Sequence, residues 1–274
     1  MTNKIAFYPA PVRLLIFICV LLVIWLPGAI PIYFLFSENP NLVTILTMGL
    51  LFIEFLFLVK IWGKKVYQED LFQRYGLRFT RQNGIDLLNG LSIGLLFCLG
   101  LFFVEGILGW VEFTKPSVFL LKIIGEGLLS ALGIGLAEEL LFRGWLLDEL
   151  DRDYTAKTAM IANAVIFALL HFLKPIPEII RTFPTFPALI LLGFILVWAK
   201  GKPQNNLGIC IGIHGGLVWG YYILNVGEIV EYSGKVSPWI TGIDGNPIAG
   251  GMGLLFLSIL AFWMRKRANR NEQM

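Results

Sequence analysis

The stretch AEELLFRGW, residues 137–145, sets two carboxylates and a guanidinium inside an apolar run that extends from about residue 117 to 150. A charged side chain near the centre of a bilayer costs at least about 2.5 to 3.5 kcal/mol on insertion scales, so each of the three must face protein or water. Their spacing sorts them. Glu139 and Arg143 lie four residues apart with the acid on the N-terminal side, the better orientation for an ion pair on one helix. Glu138 is rotated by about 100° from Glu139 on an ideal helix, and is left free to face something else.

This run is one of several. The chain has 274 residues, 57% hydrophobic and 15% charged, with a mean hydropathy of +0.74. A water-soluble globule of that length could not hide so much apolar surface in one core. Apolar runs fall at about 13–36, 41–62, 85–110, 117–150, 159–173, 184–199, 206–225 and 248–264. With roughly 20 residues needed per crossing, they predict an all-α, polytopic transmembrane bundle of about eight helices. The first run is longer than a signal-peptide core and leads directly into another span, so it is expected to be retained. Pro27 and Pro31 should kink it or break its outer half. No internal repeat or low-complexity linker divides the sequence, which predicts a single domain over 1–274 with a polar-motif core at about 117–264.

Placing the cations on alternating sides leaves Lys115, Lys122, Lys174, Arg181 and Lys235 on one face and the other 17 of the 22 Lys and Arg on the face of the termini. That bias predicts both termini in the cytoplasm. It also accounts for the net charge of +3 without a nucleic-acid partner. The inner segment GKKVYQEDLFQRYGLRFTRQNG, residues 63–84, mixes aromatic and basic residues and is expected to lie along the lipid headgroups. Cys19, Cys98 and Cys210 each fall in a different apolar run without paired spacing, which argues for packing rather than a disulfide or thiolate metal site.

Two other acidic positions have bland readings. Glu54 has no nearby helical partner in sequence, and Lys122 and Glu126 are spaced to neutralise each other. The two histidines of the chain are less easily dismissed, because both fall in membrane runs: His171 ends NAVIFALLH and His214 opens HGGLVWGYY. In a helical hairpin, residues equidistant from the turn share a depth, and Glu138 and His171 are equidistant from a turn near Tyr154. His214 lies eight residues past Asn206, roughly 12 Å of helical rise, a depth the first two can share. A carboxylate and imidazoles converging in a partly dry cavity can deprotonate a water and aim it at a carbonyl, while a histidine able to donate steadies the oxyanion. Peptide hydrolysis inside the membrane is the natural reaction class.

EELLFR (138–143), FALLH (167–171) and the histidine of GIHGGLVWG (212–220) resemble the three ordered motifs of the CPBP family of intramembrane proteases, EExxxR, FxxxH and a third motif starting with His. That family includes the CaaX prenyl proteases and bacteriocin-processing or self-immunity proteins. WITGIDGNPIAGG (239–251) also looks like the family's loop and final helix start. The resemblance implies a glutamate protease in the cell membrane, its cavity open to the cytoplasm, acting on a membrane protein or lipid-modified peptide. Glu138 would be the general base, His171 would orient the water, and His214 would help form the oxyanion hole; Glu139, Arg143 and Phe167 would be supporting residues. No cofactor is required in that mechanism, although Glu138, His171 and His214 form a Glu plus two His set able to ligate zinc.

The third motif departs from the prenyl proteases' HxxxN. The fourth residue after His214 is Val218, which cannot donate a hydrogen bond. Tyr221 and Tyr222, about two turns along a similar face, are candidates to compensate. The loss favours a second class, an inactive membrane scaffold or immunity-type protein. A third class, a proton-coupled transporter using Glu54, Glu138 and His171 as a relay, lacks the paired halves expected of such a fold.

Overall fold

A computed structural model describes residues 2–116, 119–201 and 205–272. In chain order it holds α1 (Ala10–Leu35), α2 (Pro40–Tyr67), α3 (Arg81–Ile107), α4 (Leu120–Asp151), the shorter α5 (Ala156–Leu170), α6 (Ile176–Lys200), α7 (Leu207–Val226) and α8 (Gly251–Glu272). Six of these, all but α5 and α8, are long and apolar enough to cross a membrane. The protein is thus an all-α polytopic bundle whose eight principal helices agree with the eight apolar runs, six of them span-length. The run at 159–173 forms a helix of only 15 residues. The last run loses its apolar character after Met264, where Arg265, Lys266 and Arg267 follow. The start of the fourth run, 117–118, and the inner cation Lys202 lie outside the described residues.

α1 continues through Pro27 and Pro31 without breaking. Apolar side chains such as Leu15, Val23, Phe57, Leu129 and Phe262 are exposed on the outside of the bundle. Lipid tails are as apolar as leucine, so in a bilayer such a surface needs no cover. Among the described residues there is one pair of short antiparallel strands, β1 (Val111–Phe113) and β2 (Val230–Tyr232), with Val111 opposite Tyr232. It ties the end of α3 to the end of α7.

One end of the bundle is clamped by charge. Arg13 Nε donates to Glu149 Oε2 at 2.8 Å, and both side chains are buried. Tyr67 Oη reaches the same carboxylate oxygen at 2.7 Å, and the Arg152 guanidinium lies 3.6 Å from the centre of the Tyr67 ring. Arg13 therefore joins α1, α2 and α4 rather than standing in a loop as a free topogenic charge. The segment 63–84 is likewise only partly a surface strip. Leu71 and Tyr75 are buried, Arg74 Nε reaches Asp148 at 2.6 Å, and Phe79 is the segment's exposed large hydrophobic side chain.

Small residues set the position of α7. A Cβ added at Gly212 would stand 2.2 Å from the Leu87 carbonyl oxygen of α3, and one at Gly216 2.3 Å from that of Leu91. The reciprocal positions Gly90 and Gly94 are as tight, at 2.4 Å from Ile209 O and 2.2 Å from Ile213 O. Two GxxxG faces thus lie backbone to backbone, the packing that membrane helices use in place of a hydrophobic driving force. On its other side α7 meets α4 through Gly215, Gly135 and Ala131. His214 is carried on the helix held between them.

Candidate active site

α4 carries Glu138 and Glu139 to the level of His171, which caps the C-terminus of α5, and of His214 on α7. Glu138 Oε2 stands 3.7 Å from His171 Nε2 and 3.9 Å from His214 Nε2. Both separations exceed a hydrogen bond, and each is short enough for a water to bridge Glu138 to that ring at about 2.8 Å from both. The three expected site residues are therefore brought together, and Glu138 faces the interior rather than lipid. Its Oε2 is buried and has no hydrogen-bond partner among the described residues.

Each ring is oriented from behind. His171 Nδ1 lies 2.8 Å from the Phe167 carbonyl oxygen. A carbonyl only accepts, so Nδ1 carries the proton and, in the neutral ring, Nε2 offers its lone pair toward Glu138. His214 Nδ1 lies 2.8 Å from Glu139 Oε1, leaving its Nε2 toward Glu138. That nitrogen donates only when the ring is cationic. Glu139 also accepts from Arg143 Nη1 at 3.0 Å, and both side chains of that pair are fully buried. The expected ion pair thus exists, and the same carboxylate oxygen takes on a second duty that the helical spacing did not reveal.

Phe167 supports the site twice. Its carbonyl holds His171, and its ring lies 4.3 Å from the Arg143 guanidinium and edge-to-face with His171 at 4.6 Å. A desolvated guanidinium over an aromatic face gains on the order of 2 kcal/mol. Behind it, α4 widens to a π-helical turn over Leu140–Leu146. Such turns leave carbonyls short of helical partners and concentrate at functional sites. Here Asn163 Nδ2 donates to Phe142 O at 2.7 Å, and Lys200 Nζ reaches Arg143 O. Asn163 and Lys200 are part of the site's scaffold that sequence reasoning did not single out, although Asn163 is a polar residue in an apolar run and Lys200 directly follows one.

Glu138, His171 and His214 open onto a cavity of about 270 Å³. Its walls are largely apolar, from Phe97, Leu189, Leu192, Leu217 and Phe256 among others, and Val218 is one of them. Tyr221 lines the same cavity, as does Asn246 from the loop before α8. Tyr222 does not; its ring packs where a Cβ on Gly127 would be. Glu54 is not among the lining residues, and Lys122 and Glu126 form an exposed pair at 3.8 Å on the outside of α4. All three cysteines are free; Cys98 and Cys210 are buried and Cys19 is exposed.

Zinc ligands at about 2.0 to 2.2 Å around a tetrahedral ion stand about 3.4 Å from one another. The separations of 3.7 and 3.9 Å here are wider. Among the described residues no group of three or more His, Cys, Asp or Glu is set to hold a metal ion. Side chains already held by Phe167 O and Glu139 would have to draw inward to do so.

Residues 120–220 match a family model described as type II CAAX prenyl endopeptidase Rce1-like. No curated protein and no solved structure matches the chain. The matched segment contains all of Glu138, Glu139, Arg143, Phe167, His171 and His214, and ends before Tyr221 and Asn246.

Proposed function

We propose that this chain, which residues 120–220 place in the CPBP intramembrane protease family, is itself an active endopeptidase of that CAAX type, acting on a membrane protein or lipid-modified peptide. The observation that carries the reading is the convergence of Glu138 on two imidazoles, 3.7 and 3.9 Å away, at the wall of an apolar cavity. A water held between Glu138 and His171 gives a proton to the carboxylate while its oxygen bonds to the carbonyl carbon. The carbonyl π pair moves onto oxygen, where cationic His214 donates from Nε2. On collapse the C–N bond breaks and the amine leaves with the proton stored on Glu138, so that one water and one amide become an acid and an amine. General-base catalysis of this kind contributes about 10² to 10⁴ in rate. Binding at the cavity's apolar wall leaves the reacting groups short of competing water, which strengthens every charge interaction among them.

The route as drawn uses no metal, and the chelation arm below tests that choice. The excess of Lys and Arg on the side of the termini supports a cavity facing the cytoplasm, in the cell membrane. A second reading, a scaffold that keeps the architecture without turnover, draws on Val218, which gives the cavity no donor where the prenyl proteases have asparagine.

One experiment separates them. Full-length protein in proteoliposomes is given an internally quenched, farnesylated CaaX peptide from one side or the other. Wild type should cleave it from the cytoplasmic side, and Glu138→Gln and His171→Ala should each lose at least about 10²-fold while keeping the wild-type melting profile. Equal rates for wild type and Glu138→Gln would reject the catalytic assignment. Loss of activity on chelation, restored by zinc, would reject the metal-free route.

A further inference from the structure

Apart from Glu138, His171 and His214, the cavity's hydrogen-bonding side chains are Cys98, Tyr221 and Asn246. A peptide carbonyl turning into an oxyanion among apolar walls needs donors already aimed at it, and Val218 supplies none. We propose that Asn246 Nδ2 is that donor: the loop before α8 delivers to the cavity the amide that residue 218 lacks. The inference rests on the hydrolase reading above.

The geometry of the loop decides which end of the amide is available. Asn246 Oδ1 accepts from the Ile248 backbone N–H at 3.2 Å, capping the turn Pro247–Ala249. An amide nitrogen cannot fill that role, so the cap fixes the oxygen toward the backbone and leaves the NH₂ group unspent on a residue that lines the cavity. Among the described residues Nδ2 has no hydrogen-bond partner. Tyr221 also reaches the cavity, but its hydroxyl rotates and both donates and accepts, so nothing in its surroundings commits it to donation.

The loop is also held still, as a preorganised donor requires. A Cβ on Gly242, whose φ is 129°, would lie 2.2 Å from Asn246 O; one on Gly253 would lie 1.9 Å from Pro247 O. Backbone is thus packed on backbone on both sides of Asn246. Tyr232 Oη donates to Gly245 O at 3.2 Å, and Arg181 pairs with Asp244, tying the loop to β2 and α6. In the reaction this residue makes and breaks no covalent bond. Its N–H shares the charge that the attacking water drives onto the carbonyl oxygen, and releases it when the C–N bond breaks.

Asn246→Asp is the decisive variant, because aspartate caps a turn as well as asparagine does but cannot donate when ionised. With the farnesylated peptide in proteoliposomes, kcat should fall by about 10²- to 10³-fold with KM and melting temperature little changed. Adding Val218→Asn to that variant should recover at least tenfold of the loss, by about 1.4 kcal/mol or more. Recovery also rules out a charge effect of the new carboxylate on Glu138, which a neutral amide at 218 would not reverse. Unchanged kcat, a rise in KM alone, a loss that Val218→Asn leaves in place, or a larger loss in Tyr221→Phe than in Asn246→Asp would each overturn the assignment. If wild type were no faster than Glu138→Gln, the hydrolase reading would fall and this one with it. A Glu138-dependent rate indifferent to Asn246 would sink this one alone.

Discussion

Glu139 is the residue on which the site's arrangement turns, because one buried carboxylate oxygen receives both Arg143 and His214. Removing one partner of a buried ion pair leaves the other charge uncompensated, which costs about 3 to 5 kcal/mol. Glu139→Gln should therefore lower unfolding stability in detergent or bicelles by that order, and reduce cleavage by misplacing His214. Lys122→Ala, at an exposed pair, should leave the unfolding curve where it was. A variant stable as wild type at Glu139 would show that the pair is not a structural tie. At this scale much could be read from residue order alone. The four-residue spacing gave the Glu139–Arg143 pair, and equal distance from a turn gave the meeting of Glu138 with His171. The contact of Glu139 with His214 was not readable, since it depends on how α7 is rotated against α4, and sequence spacing within one helix carries no such phase.

That rotation is an element-scale property, and glycine fixes it. Gly212 and Gly216 lie against α3 with no room for a methyl group, while Gly215 faces α4, so only one rotation of α7 fits both neighbours. Gly212→Val should force α3 and α7 apart, lower the melting temperature and abolish cleavage together, since His214 is two residues away. Gly133→Ala, at a position with open space around it, should leave both unchanged; equal effects of the two would show that the close approach does not set the site. The GxxxG pairs stood in the sequence at 90–94 and 212–216, where they predict close packing without saying which helices meet. The π-helical turn of α4 had no comparable signal, because a bond to the fifth residue needs no special side chain. Asn246 was equally hidden: a loop has no periodicity from which the position of its side chains can be counted.

For the whole molecule, the all-α membrane bundle followed from composition and run length, whereas the number of full-length spans did not. An apolar run of 15 to 17 residues fits a helix packed inside a bundle or one that stops partway across, and only the packing distinguishes them. We propose that α5 is of the second kind. Its 15 residues rise about 22 Å, against roughly 30 Å of hydrocarbon, and Ile161, Leu169 and Leu170 are exposed along it. On that reading the polypeptide turns back inside the bilayer at Phe172–Pro175, directly after His171, and the acyl chains beside α5 shorten or the bilayer dimples toward the level of Glu138 and the two imidazoles. Turnover should accordingly rise in proteoliposomes of shorter-chain phosphatidylcholines and fall in longer ones, with rates independent of chain length contradicting the idea. Membrane thickness would then act as a rheostat, tuning the protein through lipids that never enter its cavity.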